Sequence, residues 1–365
     1  MHMKRSIFAV ALGVASTALA LGLGPIPAAA AAAVQTAPSS AAGSGSVHRG
    51  LPLAPHISAP YIDVTAVGDL ATLSATSGSK YLTLAFLQTE AQGSCTVYWA
   101  GDTSKPVSVS TYGAQIAQIR KRGGDVIPSF GGYSADTTNT EIADSCTDVH
   151  KIAQAYERVI TTYNVTRLDF DIEADSLSNP AGVDRRNKAI LEVEKWAASH
   201  RRLVEIVYTL PSTPQGLAPS GLAVLQSAAK NRAPVAGVNI MTFDYWDGQT
   251  HDMVKDAETA ATGLLAQMKQ TIAPRSSNAS LWRRIGVTQM NGIDDFGTEE
   301  TLTVAQAGEF IAWASAHKLG AVSFWALQRD NGSCPGVKGS NVCSGVAQSD
   351  WAFSRAFAAF NSWWY

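Results

Sequence analysis

Asp169, Asp171 and Glu173 alternate within the stretch Thr166-Arg167-Leu168-Asp169-Phe170-Asp171-Ile172-Glu173-Ala174-Asp175. In an extended chain successive side chains point to opposite faces. The three acids therefore share one face, and Leu168, Phe170 and Ile172 share the other. An apolar back and an acidic front suit a strand packed on helices, with its acids facing an enclosed space. Burying three acids together costs several kcal/mol through desolvation and mutual repulsion. Such a row serves either acid–base chemistry or a divalent cation. Alternate strand residues stand about 6.6 Å apart, which makes a ladder rather than a coordination cage. Acid–base work is the better fit. Burial and neighbouring negative charge should raise the proton affinity of Glu173, as a general acid requires near neutral pH.

The elements that must hold this ladder are legible as alternating apolar runs and amphipathic stretches. Nearly continuous apolar runs, typical of parallel strands covered on both faces, occur at 61–64, 81–87, 125–130, 167–172, 203–210, 235–243, 285–290 and 321–327. Helical periodicity covers 148–163, 184–200 and 304–317, the last with a Thr303 cap and a Lys318-Leu319-Gly320 stop. Eight strand–helix alternations predict an α/β fold, a single (β/α)8 TIM barrel spanning residues 53–365. An open doubly wound sheet is the alternative, but no GxGxxG or Walker-type loop follows the first strand. In a barrel, the C-terminal ends of the strands carry the chemistry, which is where Glu173 falls.

The DxDxE stretch at the end of a mid-chain strand resembles glycoside hydrolase family 18, the chitinase family. Three further segments match in order. Pro128-Ser129-Phe130-Gly131-Gly132 resembles the SxGG motif of the third strand. Met241-Thr242-Phe243-Asp244-Tyr245 resembles the MxYD motif of the sixth. Ser323-Phe324-Trp325 resembles the eighth-strand segment that carries the tryptophan flooring the substrate site.

The resemblance implies a retaining hydrolase of β-1,4-linked N-acetylglucosamine polymers, with chitin or its oligosaccharides as partner. The nucleophile would be the substrate's own acetamido oxygen. Carried over, Glu173 protonates the glycosidic oxygen and later activates water. Asp171 holds the acetamido N–H, and Asp169 positions Asp171. Trp325, Asp244, Ser129, Gly131 and Trp246 would contact substrate. Gln289, or Asn291 nearby, stands at the end of the seventh strand and is a further candidate. Tyr133 and Trp99 are candidates for outer subsites or for packing. Arg329 and Asp330 would meet sugar hydroxyls or pair with each other. The sequence departs from the pattern at Phe243, where the family has a tyrosine hydroxyl. Tyr245 lies two residues on, the same face by period 2, and is expected to supply that hydroxyl in an MxxDY arrangement. Neither a cofactor nor a metal is expected. The alternatives are an endo-β-N-acetylglucosaminidase acting on N-glycan cores and an inactive chitin-binding lectin-like relative.

The 365 residues are 46% hydrophobic and 16% charged, with a net charge of −2. That balance is globular and offers no electrostatic footprint for nucleic acid or an anionic membrane. A basic start with Lys4 and Arg5, an apolar run and an Ala-rich zone predict a secretory signal over 1–33 and an extracellular monomer. The Ala/Ser/Gly-rich stretch that follows, 34–52, reads as a flexible linker. Four cysteines in an exported chain predict disulfides. Cys334 and Cys343 flank a Gly-rich loop and pair, leaving Cys95 with Cys146. The segment 291–320 reads as one helix and a short loop, which predicts a shallow, open groove and endo-type cutting.

Overall fold

Continuous apolar runs become strands here because helices cover one face and the barrel interior the other. The computed structural model describes residues 52–362. The expected signal, and all of the expected linker except Pro52, lie outside them. Eight parallel strands form the barrel: β1 Tyr61–Asp63, β2 Tyr81–Thr89, β3 Asp125–Gly131, β4 Arg167–Asp171, β5 Glu205–Thr213, β6 Gly237–Met241, β7 Ile285–Met290 and β8 Ala321–Trp325. Each pairs with its sequence neighbours from β1 to β8. Closure comes from the chain just before β1, where Ile57 and Ser58 pair in parallel with Ala321 and Val322. The expected (β/α)8 barrel is the observed one.

Eight helices wrap the barrel: α1 Leu70–Ser77, α2 Ala114–Lys121, α3 Val149–Tyr163, α4 Pro180–Ser199, α5 Pro219–Asn231, α6 Met253–Gln270, α7 Val304–His317 and α8 Ala352–Ala358. Their starts follow from local chemistry. Asp69, Asp148, Asn179 and Asp252 accept hydrogen bonds from first-turn amides, and Thr303 with Gln306 forms a capping box. α4 begins earlier than its periodicity suggests, because Asn179 caps it and Pro180 occupies the first turn.

The apolar back of β4 packs as expected. Phe170 stacks on Phe130 at 5.3 Å and meets Tyr156 of α3 edge-on at 4.8 Å. All three are fully buried. Burying an aromatic ring of this size contributes roughly 1.5–3 kcal/mol, so this cluster fixes β4 against α3 and, with it, the rotation of the acidic face. Both expected disulfides form, Cys95–Cys146 and Cys334–Cys343. The first joins the β2 loop to the chain leading into α3, and the second closes a loop beyond β8. The β7–α7 connection is less plain than expected. It holds a two-stranded ribbon, Gly292–Ile293 against Thr301–Leu302, before α7 begins.

Candidate active site

Asp169 is the deepest rung. Its carboxylate accepts hydrogen bonds from Tyr61 at 2.8 Å, Ser129 at 2.6 Å and Thr209 at 2.6 Å. Those donors come from β1, β3 and β5, so three strands converge on one group. Asn239 of β6 extends the network by donating to Thr209 and Thr288. Burial pushes the Asp169 carboxyl up, while the three hydroxyls pull it back.

Asp171 sits one rung higher and is also buried. One of its oxygens, Oδ1, has no hydrogen-bond partner in the protein. Burial first, then the charges of Glu173, Asp169 and Asp136, hold its carboxyl well above the usual carboxylate range. A buried acid with a free oxygen at the mouth of a barrel is poised for a donor that the protein itself does not supply.

Glu173 lies just past β4, in extended backbone with φ −132° and ψ −177°. It is half-buried. Burial pushes its carboxyl up to about 7, aided by Asp244 and Asp295 and opposed by the Tyr133 backbone amide. Ala174 follows with φ 38°, in the left-handed region that a side chain disfavours. The two glycines after Phe130 have a physical reason. A Cβ on Gly131 would lie 2.1 Å from the Asp171 carbonyl oxygen, and one on Gly132 would lie 2.5 Å from the Phe86 ring.

Trp325 is half-buried, stacked on Phe86 at 5.7 Å with Tyr61 at 6.0 Å. It gives the groove an aromatic floor. Trp246 and Tyr133 are exposed, at 61% and 67%. Asp244 accepts the Asp295 amide, and its own amide donates to Asp294. Burial and the neighbouring Asp294 and Asp295 raise the Asp244 carboxyl to about 7. The buried Glu300 accepts the Tyr245 and Trp246 amides, which pins the β6 loop to the β7 ribbon.

Several expectations are corrected. Ser129 is fully buried behind Asp169 and cannot meet substrate; it orients the ladder. Gly131 acts by leaving room for the Asp171 backbone rather than by contact. Gln289 faces the helix ring, where it donates to the Met253 carbonyl at 3.1 Å. Alternation explains this: Thr288 reaches Asn239 inside the barrel, so Gln289 must point out. Tyr245 does not continue a strand face. β6 ends at Met241 and Asp244 adopts φ 55°, so period 2 no longer applies. Its ring lies 4.8 Å from His251, and Asp256, Glu300, Asp294 and Asp247 are the carboxylates that raise its hydroxyl's proton affinity beyond the effect of burial. Trp99 is fully buried and donates to Tyr163. Arg329 and Asp330 do not pair. Arg329 holds the Asn291 and Ile293 carbonyls, and Asp330 accepts from Phe353 and Ser354.

Sequence reading missed Tyr61, Thr209, Asn239, Asp136, Asp294 and Glu300. Inward alternation along β5 and β6 could have flagged Thr209 and Asn239. Behind the ladder, Arg186 and Glu141 form a fully buried pair at 2.6 Å. Replacing Arg186 with Leu leaves the buried Glu141 carboxyl without its counter-ion. The loss should be about 3–5 kcal/mol, read from the urea unfolding midpoint. A cavity of about 320 Å³ opens among Leu53, Arg167, Glu205 and Arg284, away from Glu173.

An inward carboxylate ladder under an aromatic floor, at the C-terminal end of a (β/α)8 barrel, places the chain among the barrel glycosidases. No family model matches it. Active domain 2 of a chitinase from Pyrococcus furiosus, solved as catalytic-site mutants, is 32% identical with a TM-score of 0.74, over 86% of this chain and 98% of that one. The chain belongs to the chitinase family of that relative, and it shares its fold with a GH18 chitinase from Pseudoalteromonas aurantia, 15% identical with a TM-score of 0.54. A probable bifunctional chitinase/lysozyme of Escherichia coli K12 is 33% identical over 84% of this chain. Endochitinase 11 of Metarhizium anisopliae is 31% identical over 75%. The chain spans 34% and 52% of the lengths of these two curated relatives.

Proposed function

We propose that the protein is an exported chitinase that cuts β-1,4-linked N-acetylglucosamine chains by substrate-assisted catalysis. The observation that carries this reading is Asp171. It is buried, held above the usual carboxylate range by burial and the nearby Glu173 charge, and left with one oxygen that no protein group satisfies. An acetamido N–H would satisfy that oxygen, and the positive ring formed when the acetamido oxygen attacks the anomeric carbon would be offset by the Asp171 charge. Glu173, with its carboxyl near 7, donates a proton to the leaving oxygen and takes one back from the incoming water. Asp169 stays fixed by its three hydroxyl donors and steadies Asp171 from below.

Two disulfides and the basic–apolar–Ala start support export. The short β7–α7 connection supports an open groove and endo-type cutting. The spacing of Met241, Asp244 and Tyr245 supports membership of an MxxDY branch, although the Tyr245 ring lies beside His251. The test is digestion of N-acetylglucosamine oligomers, with products sized and their anomeric form followed by NMR. Internal cuts and initial β-anomer products are expected. Intact oligomers overturn the reading. Bacterial cell-wall glycan and an N-glycan core serve as competing substrates.

A further inference from the structure

Glu173 is held by one short helix, Tyr133–Thr137, which follows the Gly131-Gly132 turn. The Tyr133 backbone amide lies close enough to the Glu173 carboxyl to oppose its upward shift. One turn later, the Asp136 carboxyl accepts the Glu173 backbone N–H in a very short hydrogen bond. Asp136 is completely buried. Resting on the chitinase reading, we propose that Asp136 is a positioning residue for the reaction, fixing the backbone of Glu173 so that its carboxyl meets the glycosidic oxygen.

Three observations support this role. The peptide it holds is under backbone strain, since Ala174 adopts φ 38° directly after Glu173. A strained turn keeps its shape only where its surroundings impose it. The next tether along the same segment has the same design: Asp144 accepts Ser176 in a very short bond and Asn179 at 2.8 Å. The loop beyond β4 is thus tied to the loop beyond β3 by acids at both ends. Finally, three buried or half-buried carboxyls, Asp136, Glu141 and Asp144, share one guanidinium, Arg186, and Arg186 bonds directly to Glu141. Burial and the Glu141 charge push Asp136 up to about 9. At neutral pH it therefore holds Glu173 as an uncharged acid and adds no further anion beside Asp171. Nothing in the DxDxE pattern points to it.

The test compares Asp136→Ala and Asp136→Asn with the wild type. Asn retains an oxygen that can accept the Glu173 amide, and it is uncharged. With Ala, kcat on N-acetylglucosamine oligomers should fall by about 10- to 100-fold while KM changes less than about threefold, the pattern of a displaced catalytic group. Asn should recover kcat to within about fivefold of wild type. Amide hydrogen exchange over residues 173–177 should quicken with Ala and not with Asn. If Ala fails to fold, Asp136→Ser, too short to reach the amide, is measured in its place. Loss carried in KM, Asn as impaired as Ala, or unchanged exchange with Ala would each overturn the proposal. If the wild type leaves the oligomers uncut, the chitinase reading fails, and hydrogen exchange still decides whether Asp136 anchors Glu173.

Discussion

Glu173→Gln is expected to lower kcat on N-acetylglucosamine oligomers by about 10²- to 10⁴-fold, the contribution of one well-placed general acid, with KM nearly unchanged. Gln keeps the size and the hydrogen-bonding shape but carries no transferable proton. The barrel should be undisturbed, since Glu173 lies past the end of β4 and is not part of its ladder of backbone bonds. The same argument predicts the pH response. The acid must be protonated when the leaving oxygen departs, so activity persists below a pH of about 7 and declines as pH rises through it. In kcat/KM this limb belongs to the free enzyme. A residual activity above one tenth of wild type in Glu173→Gln would remove Glu173 from the role.

Asp171→Asn should show opposite effects on activity and stability. Turnover should fall by about 10²-fold or more, because the compensating charge for the cationic intermediate is gone. Stability near neutral pH should rise, with Tm up by a few degrees. The sign follows from linkage. The folded-state proton affinity of Asp171 is raised, mainly by burial and then by Glu173. Its contribution is fully present below the unfolded value of about 3.9 and is lost as pH rises through the folded value. Asn mimics the protonated form at every pH, so the gain over wild type should shrink on acidification. Calorimetry across pH 4 to 8 reads this directly. A lower Tm at pH 7 would contradict the proposed strain at the site.

The ladder was legible because it rests on one rule. Alternation assigned Asp169, Asp171 and Glu173 to the inner face, and Leu168, Phe170 and Ile172, all fully buried, form the outer one. Gln289 was misjudged where that rule was set aside and nearness to a strand end was used instead. Tyr245 failed for the converse reason: alternation was extended beyond Met241, where the chain had already turned. Asp136, Asp294 and Glu300 left no local trace. Each sits in a short helix or loop whose position depends on contacts with chain far away in sequence, such as Asp136 with Glu173. The strand count succeeded because burial on both faces demands continuous apolar runs, a requirement written locally in each strand.

The grip on Asp169 carries a consequence for how such a protein can diverge. Tyr61, Ser129 and Thr209 belong to three strands separated by 148 positions at the extremes, yet they meet at one carboxylate. A change at one of them leaves a lone pair or a hydroxyl unmatched, and no single further substitution restores it. Lineages should therefore inherit this interior as a block. The rim, where Trp246, Tyr133 and the Cys334–Cys343 loop stand apart from that network, is free to drift one residue at a time, and new preferences for chain length or glycan context would arise there.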